Sequence, residues 1–446
     1  MPSAAEQLAA NFNFGAFSKA TELKQRLLFT MVALIVARLG TYIPMPGIDA
    51  TSLAQQIQQQ QGGLLDVFNL LAGGAIERMA IFALGIMPYI SASIIIQLMT
   101  TVSPTLEQLK KEGETGRKQI NQYTRYGTVM LAAVQAWAIA IGLEQWGTVV
   151  VDPGLAFRIS TVITLTGGTI LLMWIGEQIT ARGVGNGISL IIMAGIVARV
   201  PILLIQVFEQ ARTGAVSATL LMMMFVLFGG MVAGVVFMER AQRRLLVQYP
   251  KRQQGNRVFG GESSHLPLKL NVAGVIPPIF ASSLLLLPTT VANFNAANIP
   301  EWLQAMVVLL GHGQPAFILL YAAGIIFFCF FYTAIVFNPE ETAENLKKYG
   351  GFIPGIRPGK RTAEYIDFVL TRITVVGALY LTAVCLVPEI IAGAYNAQAF
   401  AFGGTSVLIV VSVTMDTVAQ IQSHLIAQQY EGLIKKARLK GARPTK

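Results

Sequence analysis

Charged residues, cysteines and histidines are all scarce in this sequence. Asp, Glu, Lys and Arg make up 13% of its 446 residues, whereas soluble domains carry about 25%. The two cysteines, Cys329 and Cys385, both lie inside apolar runs, so we expect small core residues rather than a disulfide. His265, His312 and His424 are far apart in the sequence, and no spacing of potential ligands predicts a metal site.

The motifs of common enzymes are missing as well. The sequence has no H-E-x-x-H, no paired-cysteine motif, no nucleophile elbow and no Walker A loop. The glycine-rich stretch RGVGNGIS, residues 182–189, lacks the preceding strand and the spacing of a phosphate loop. Close backbone packing or a flexible helix start is expected there instead. We therefore expect no catalysis, no metal and no cofactor, so that any work driven by ATP has to come from a partner protein.

Long apolar runs dominate what is present. Hydrophobic residues make up 54% of the chain. Stretches such as Leu27–Ile43 and Ala316–Phe337 supply the roughly 20 residues of helix that cross a bilayer core of about 30 Å. No polar stretch is long enough for a separate globular domain, and the N-terminal residues do not resemble a cleavable signal peptide. We therefore predict an all-α polytopic membrane protein with one integral membrane domain, residues 1–446, inserted through its first span. Ten spans are predicted, near residues 23–43, 77–100, 123–143, 157–176, 184–208, 216–238, 271–291, 315–337, 367–388 and 403–422.

Lysine and arginine are distributed very unevenly between the loops. Most of the 33 fall in the N-terminal tail, in loops 101–126, 176–183, 239–270 and 338–365, and in the basic tail 423–446. The loops between these regions carry almost none. By the positive-inside rule, this alternation predicts an even number of spans with both termini in the cytoplasm. The net charge of +10 therefore reflects membrane topology, and the hydropathy excludes a soluble nucleic-acid binder.

Ten spans divide into two sets of five. An odd number of spans in each half makes the two halves inverted relative to each other, and inverted repeats commonly line a central pathway. We therefore predict an N-terminal half, residues 23–208, and a C-terminal half, residues 216–422. The two halves show little sequence repetition, so this prediction depends on the number of spans alone.

Two features near the second span depart from ordinary transmembrane helices. The stretch Gly62–Ala75 is apolar but too short to cross, and Asp66 and Asn69 interrupt it. Because backbone at membrane depth must be buried or line water, a short re-entrant helix beside an aqueous cavity is predicted, with a surface-lying amphipathic helix as the alternative. Pro88 in the following span predicts a kink, since proline removes one backbone hydrogen bond.

Isoleucine pairs recur at helical spacing in two spans. Ile86 and Ile90 share one face of the second span, and Ile188 and Ile192 share one face of the fifth. By spacing alone, such residues belong to a core or face lipid.

Ionisable residues within the predicted spans are few, and four of them are candidates: Arg38, Arg199, Arg372 and Asp416. A charge inside the membrane is a functional candidate by default. Ion-coupled pumps usually need several convergent carboxylates, whereas Asp416 is nearly alone. The pattern therefore favours a passive channel over an ion-driven transporter.

The two longest cytoplasmic loops contain about 30 residues each, although a connector needs only a handful. Basic loops beside a membrane commonly sense lipid charge and set topology. Turn residues such as those of Gly355–Gly359 instead favour a docking surface for another protein.

Several long motifs, in the same order along the chain, resemble the SecY family of protein-conducting channels in its bacterial form. The resemblance extends from Leu27 to about Leu439. The motifs are IPMPGID after the first span, ALGIMPYISASIIIQ in the second, GEQITARGVGNGISLII in the fifth, HLPLKLNVAGVIPPIFASS before and in the seventh, IIFFCFFYTAIVFNPEETAENLKKYGGFIPGIRPG from the eighth, and GGTSVLIVV in the tenth.

The resemblance implies ten helices in two inverted halves around an hourglass pore, closed by a short plug helix and able to open sideways towards lipid. The implied constriction ring is Ile86, Ile90, Ile188, Ile192, Ile279 and Ile409. The implied plug is Leu64, Leu65, Asp66, Val67, Phe68, Asn69, Leu70, Leu71, Ala72, Gly73 and Gly74. The lateral gate would lie between the second and seventh helices, with Ser91 and Leu287 near facing positions.

The resemblance also implies partners and a location. Arg357 in GIRPG would dock the SecA motor ATPase, and Lys251, Arg252 and Arg257 would contact ribosomal RNA phosphates. Asn256 stands where relatives often carry a second arginine. The small membrane subunits SecE and SecG, signal peptides, unfolded precursors and membrane lipids are the other implied partners. The implied location is the bacterial plasma membrane.

Two other functional classes are alternatives to a translocon pore. Inverted halves and a broken helix would also suit a secondary transporter for small solutes. Several buried charges or a polar site at the midplane would favour it, and an apolar ring with long docking loops does not. An intramembrane enzyme is disfavoured because no nucleophile is paired with a base.

Overall fold

The structure is a computed structural model that describes residues 21–49, 52–53, 69, 72–147, 149–214, 217–249, 252–254, 257–259, 263–294, 314–395 and 403–441. The first six helices described are α1 Thr21–Gly40, α2 Met87–Val102, α3 Pro104–Lys111, α4 Glu114–Gln145, α5 Leu155–Arg182 and α6 Gly187–Arg212. Six more are α7 Ala218–Arg240, α8 Ile276–Phe294, α9 Pro315–Val336, α10 Pro339–Lys348, α11 Lys360–Tyr395 and α12 Gly404–Gly441. Four short strands lie between α7 and α8.

Each of the ten predicted spans corresponds to one long helix. Within the described ranges, seven helical stretches are long and apolar enough to cross a membrane on their own. An eighth span is possible if α2 and α3, which meet at a bend of 97°, are taken together. The chain is therefore an all-α polytopic membrane protein, as the hydropathy predicted.

The second span differs from its prediction. Residues 77–86 were expected to be helical, but 72–86 form consecutive turns and α2 begins only at Met87. The predicted kink at Pro88 is also wrong. Pro88 lies in the first turn of α2, where the missing N–H would have had no intrahelical partner and the fixed φ suits the helix.

The helices pack into two groups that meet along two seams. In the first group α4 packs on α2 and α5, and α6 packs on α1 and α5. In the second group α9 packs on α8 and α11, and α12 packs on α7 and α11. Along one seam α8 contacts α2 and α4, and along the other α6 contacts α12. The largest hydrophobic cluster draws on both groups and lies between the seams.

The RGVGNGIS stretch is a tightly packed corner. Asn186 caps α6, its side-chain oxygen accepting from the N–H groups of Ile188 at 3.1 Å and Ser189 at 3.5 Å. A Cβ on Gly187 would lie 2.0 Å from the carbonyl oxygen of Gly176 on α5. Of the two expectations for this stretch, close backbone packing is the one the structure supports.

The loop after α7 contains β-structure that the sequence analysis did not predict. Strands β1 Gln242–Gln248 and β4 Ser263–Lys269 form one antiparallel two-stranded sheet. Strands β2 Arg252–Gln254 and β3 Arg257–Phe259 form a second one. Leu245 and Val247 alternate with exposed residues in β1, so the first sheet has one buried face.

The last helix, α12, includes the predicted tenth span and continues into the predicted basic tail, as far as Gly441. Cys329 and Cys385 are both free and buried, which agrees with their predicted role as core residues.

Candidate functional site

The six isoleucines of the predicted ring belong to one hydrophobic cluster. Ile86, Ile90, Ile192 and Ile409 are buried, with at most 8% of each residue exposed, and Ile188 and Ile279 are partly buried against them. They come from four helices that are distant in sequence: α2 with its N-cap, α6, α8 and α12. Folding therefore brings all six into one hydrophobic cluster.

Local backbone geometry orients the first two of these side chains. Ile86 is the N-cap of α2, and the N–H of Ile90 donates to the carbonyl of Ile86 at 3.1 Å. The two residues are therefore one helical turn apart on one face. Gly85, which precedes them, has a φ of +56°, a left-handed conformation that favours glycine and turns the chain into the helix.

A narrow apolar cavity lies among the ring residues. Seven residues line it: Ala72, Gly85, Ile86, Met87, Ile90, Ile192 and Ile279. Four of them are ring isoleucines, and Ala72 belongs to the predicted plug. Four of the six predicted ring residues and one predicted plug residue therefore line one cavity, while Ile188 and Ile409 are not among its lining residues.

Most of the predicted plug lies outside the described residues; Asn69 and the stretch Ala72–Gly74 are described. A guanidinium nitrogen of Arg38 on α1 donates to the carbonyl oxygen of Gly73. The N–H of Gly74 donates to the carbonyl oxygen of Asn69 at 2.7 Å. Whether residues 64–74 form a helix is not tested, and the described end is a turn fastened to α1.

Polar contacts beside this turn were not foreseen. Asn69 and Glu77 exchange two hydrogen bonds, and Arg199 of α6 forms an ion pair with Glu77. Arg199 was noted as a charge within a span, but Glu77 is 122 residues away, and no sequence pattern connects residues so far apart.

The predicted gate positions lie on helices that do contact each other. Ser91 on α2 is buried, and α8, which carries Leu287, packs against α2. The side chain of Leu287 lies outside the described residues, so the facing pair is not tested. The ammonium of Lys110 on α3, which follows α2, donates to the carbonyl oxygen of Ile335 near the end of α9, at 3.4 Å.

The two long loops, predicted at residues 239–270 and 338–365, pack together. Gln248 and Phe352 exchange two backbone hydrogen bonds, each 2.9 Å long, which joins the first loop to the second. A hydrophobic cluster beneath them contains Leu245 and Leu268 of the first loop, Ile353 of the second loop and Ile366 of α11. The two loops therefore form one folded surface.

Arg357 is exposed on this surface. Its backbone carbonyl accepts from the hydroxyl of Thr362 at 2.9 Å, and the neighbouring Ile356 packs on the shared cluster. The side chain is therefore presented by an anchored turn. Arg252 and Arg257 lie in the paired strands β2 and β3, while their side chains, Lys251 and Asn256 lie outside the described residues.

Within the described ranges, no three His, Cys, Asp or Glu residues are grouped so that they could hold a metal ion.

Comparison with known proteins gives concordant results. A family model described as SecY matches residues 80–418. The protein translocase subunit SecY of Escherichia coli strain K12 is 56% identical over 424 residues, covering 94% of this chain and 96% of the relative. A solved SecY protein, whose plug domain is described as stabilising the closed state of the translocation channel and maintaining a membrane seal, has a TM-score of 0.65. It is 18% identical and covers 90% of this chain and 92% of its own. The Sec61 channel of a canine ribosome-channel complex from the endoplasmic reticulum has a TM-score of 0.63 at 16% identity, covering 90% of this chain and 92% of its own. At these identities the two solved structures show a shared fold, and the family match and the bacterial relative show that this chain belongs to the SecY family of protein-conducting channel subunits.

Proposed function

We propose that Ile86, Ile90, Ile188, Ile192, Ile279 and Ile409 form the constriction through which this channel subunit conducts unfolded secretory proteins. Membership in the SecY family makes the chain the channel component of a protein translocase, without catalysis of its own. The observation that carries the ring assignment is the apolar cavity that Ile86, Ile90, Ile192 and Ile279 line together. Ile188 and Ile409 belong to the same hydrophobic cluster.

An aliphatic ring suits this task physically. A hydrophobic constriction excludes water and ions by dewetting. Flexible aliphatic side chains seal around a polypeptide of any sequence, whereas a charged ring would bind some segments and admit ions. This lining does not resemble the polar midplane site that a transporter of small solutes needs.

The segment 64–74 is proposed as the plug that closes the channel on its outer side. Ala72 lies in the ring cavity, and Gly73 is bonded to α1. The solved SecY relative, whose plug domain stabilises the closed state, supports the same role here. A plug seated beside the ring would add a second barrier to ions.

The seam between α2 and α8 is proposed as the lateral gate. It separates the proposed N-terminal half, residues 23–208, from the C-terminal half, residues 216–422. A translocating segment that reaches this seam samples lipid, so its transfer free energy decides whether it stays in the bilayer. Ser91 and Leu287 remain proposed facing positions.

The folded cytoplasmic surface is proposed as the docking site for cytosolic partners. A ribosome is one of them, since a Sec61 channel of the same fold is found in a ribosome-channel complex; Lys251, Arg252 and Arg257 would meet phosphates there. Exposed Arg357 would meet the SecA motor, and SecE and SecG would complete the complex in the membrane.

The positive-inside distribution of Lys and Arg supports a plasma-membrane orientation with both termini in the cytoplasm.

Photo-crosslinking tests the ring directly. A photoreactive residue replaces Ile90 or Ile279 in the full complex, and a secretory precursor is stalled midway through export. We expect crosslinks that depend on the signal sequence. The matched control is Leu319 on α9, which is 71% exposed on the outside of the bundle and should stay unlinked. Failure to crosslink at both ring positions, in a complex shown to be active, would reject the ring.

A further inference from the structure

We propose that the ion pair between Glu77 and Arg199 is a latch that fastens the end of the plug to α6 and thereby sets how readily the resting channel opens. This inference rests on the proposed role of residues 64–74 as the plug. Glu77 and Arg199 would then be positioning residues, acting on the channel through the plug.

Glu77 connects the plug to the bundle through one carboxylate. Its Oε2 atom accepts from Arg199 Nη2 at 2.8 Å and from Asn69 Nδ2 at 3.1 Å. The N–H of Glu77 donates back to Asn69 Oδ1 at 3.2 Å. A residue of the plug, a residue of the turns before α2 and a residue of α6 are therefore joined in one polar chain.

The backbone of the plug end is seated against the same helix. Gly73 has a φ of +66°, and a Cβ placed there would lie 3.0 Å from the Cα of Gly195 on α6 and 2.6 Å from a guanidinium nitrogen of Arg38 on α1. Only a glycine fits such a close approach without displacing its neighbours. The Arg199 side chain emerges from α6 one turn beyond Gly195, which places the ion pair directly beside this seat.

The burial of the three side chains indicates how strongly each contact holds the end of the plug. The Arg199 side chain is 16% exposed and that of Glu77 is 44% exposed, so the pair is less screened by water than a surface ion pair. Asn69 is only 5% exposed. In Glu77→Gln an amide oxygen remains that can accept from the buried Asn69, so that variant removes chiefly the attraction between the carboxylate and Arg199.

A latch of this kind suits a plug that has to move and return. A wholly buried ion pair would be very costly to separate, but the exposed side of Glu77 allows water to solvate the carboxylate as the pair opens. Separating the pair therefore requires little free energy, which an entering polypeptide could supply by displacing the plug. The attraction between the opposite charges then favours return of the plug.

Ion conductance of the complete translocon in a planar bilayer, without precursor, tests the proposal. We expect Glu77→Gln and Arg199→Gln each to raise the resting leak about tenfold, which corresponds to about 1.4 kcal/mol of lost latch energy. The charge-swapped double variant, Glu77→Arg with Arg199→Glu, should bring the leak back towards the wild-type value. Arg212→Gln, an exposed cation at the end of the same helix, is the matched control and should leave the leak unchanged.

Deleting residues 64–74 separates failure of the latch from failure of the plug. If the deletion raises the leak but neither single variant does, the latch is wrong and the plug role stands. If the deletion also leaves the leak unchanged, the plug role is wrong. Single variants that leak, with a swapped variant that assembles normally and leaks as much, would overturn the claim that the attraction between these two charges is what holds the plug.

Discussion

Truncating one ring residue should make the resting channel leak, and truncating its neighbour one turn away should not. Ile192 and Ile196 both lie on α6 and are 8% and 0% exposed. Ile192 lines the ring cavity, while Ile196 is packed in the surrounding hydrophobic cluster. The pair therefore separates a role in sealing from a role in packing.

The loss of stability should be similar for the two variants. Replacing isoleucine by alanine removes three carbon atoms, and at about 0.8 kcal/mol for each buried CH₂ group the transfer term alone is about 2.4 kcal/mol. The space left behind brings the expected loss to about 2–5 kcal/mol. The Ile196 variant should lie towards the upper end, since its void is enclosed, whereas the void at Ile192 merges with an existing cavity.

The effect on conductance should differ sharply. In Ile192→Ala the new space widens the cavity between Ile86, Ile90 and Ile279, and a wider apolar constriction dewets less readily. Ions should then pass in the absence of a precursor. In Ile196→Ala the constriction keeps its lining, so the conductance should stay at the wild-type value.

Two measurements on the purified complex check this reasoning: thermal unfolding for stability and planar-bilayer conductance for the leak. Equal leaks from the two variants would mean that general loosening, not the ring, controls the barrier. An unchanged conductance in Ile192→Ala, with the expected fall in stability, would show that Ile192 does not contribute to the seal.

Three further predictions follow from particular residues. Arg357→Glu should impair motor-driven export without changing thermal unfolding, because its side chain is exposed; a normal rate of precursor import into vesicles would remove Arg357 from the docking surface. Deleting residues 64–74 should raise ion leak in planar bilayers without abolishing export, and a loss of all export would mean that the segment does more than close the channel. Gly187→Ala should lower the yield and thermal stability of the complex, because the new Cβ would lie 2.0 Å from the Gly176 carbonyl oxygen, whereas Gly229→Ala, with nothing within 4 Å of its Cβ, should not.

Hydropathy predicted the long helices well, because the requirement that they bury their own backbone hydrogen bonds in lipid leaves few other structures. The start of α2 was the main error. Residues 77–86 are apolar enough to be read as helix, but their backbone turns repeatedly to pass from the plug to Met87. The hydropathy of a sequence predicts that a segment is buried, but it does not distinguish a buried helix from a buried series of turns.

The ring could be named from the family resemblance and not from periodicity. Residue spacing predicted that Ile86 and Ile90 share one helix face and that Ile188 and Ile192 share another. It could not predict that residues of α2, α6, α8 and α12 pack in one hydrophobic cluster. Neither residue spacing nor the family resemblance predicted the ion pair between Glu77 and Arg199. The two residues are 122 positions apart and come together only in the folded chain. The β-hairpins were missed because their alternating pattern is short and lies in a loop rich in charge.

The proposed ring and the proposed plug should be physically coupled, because residues of both line one cavity. Ala72 at the end of the plug and Ile86 at the start of the ring line the same cavity, and the ideal Cβ position of Gly85 lies 3.7 Å from Ala72. Spreading the ring around a polypeptide therefore moves the surface on which the plug is seated. Since residues in contact rarely contribute independently, we expect the leaks of Ile192→Ala and Glu77→Gln to be non-additive when the changes are combined. Strictly additive effects on the free energy of opening would instead mean that ring and plug act as separate barriers in series.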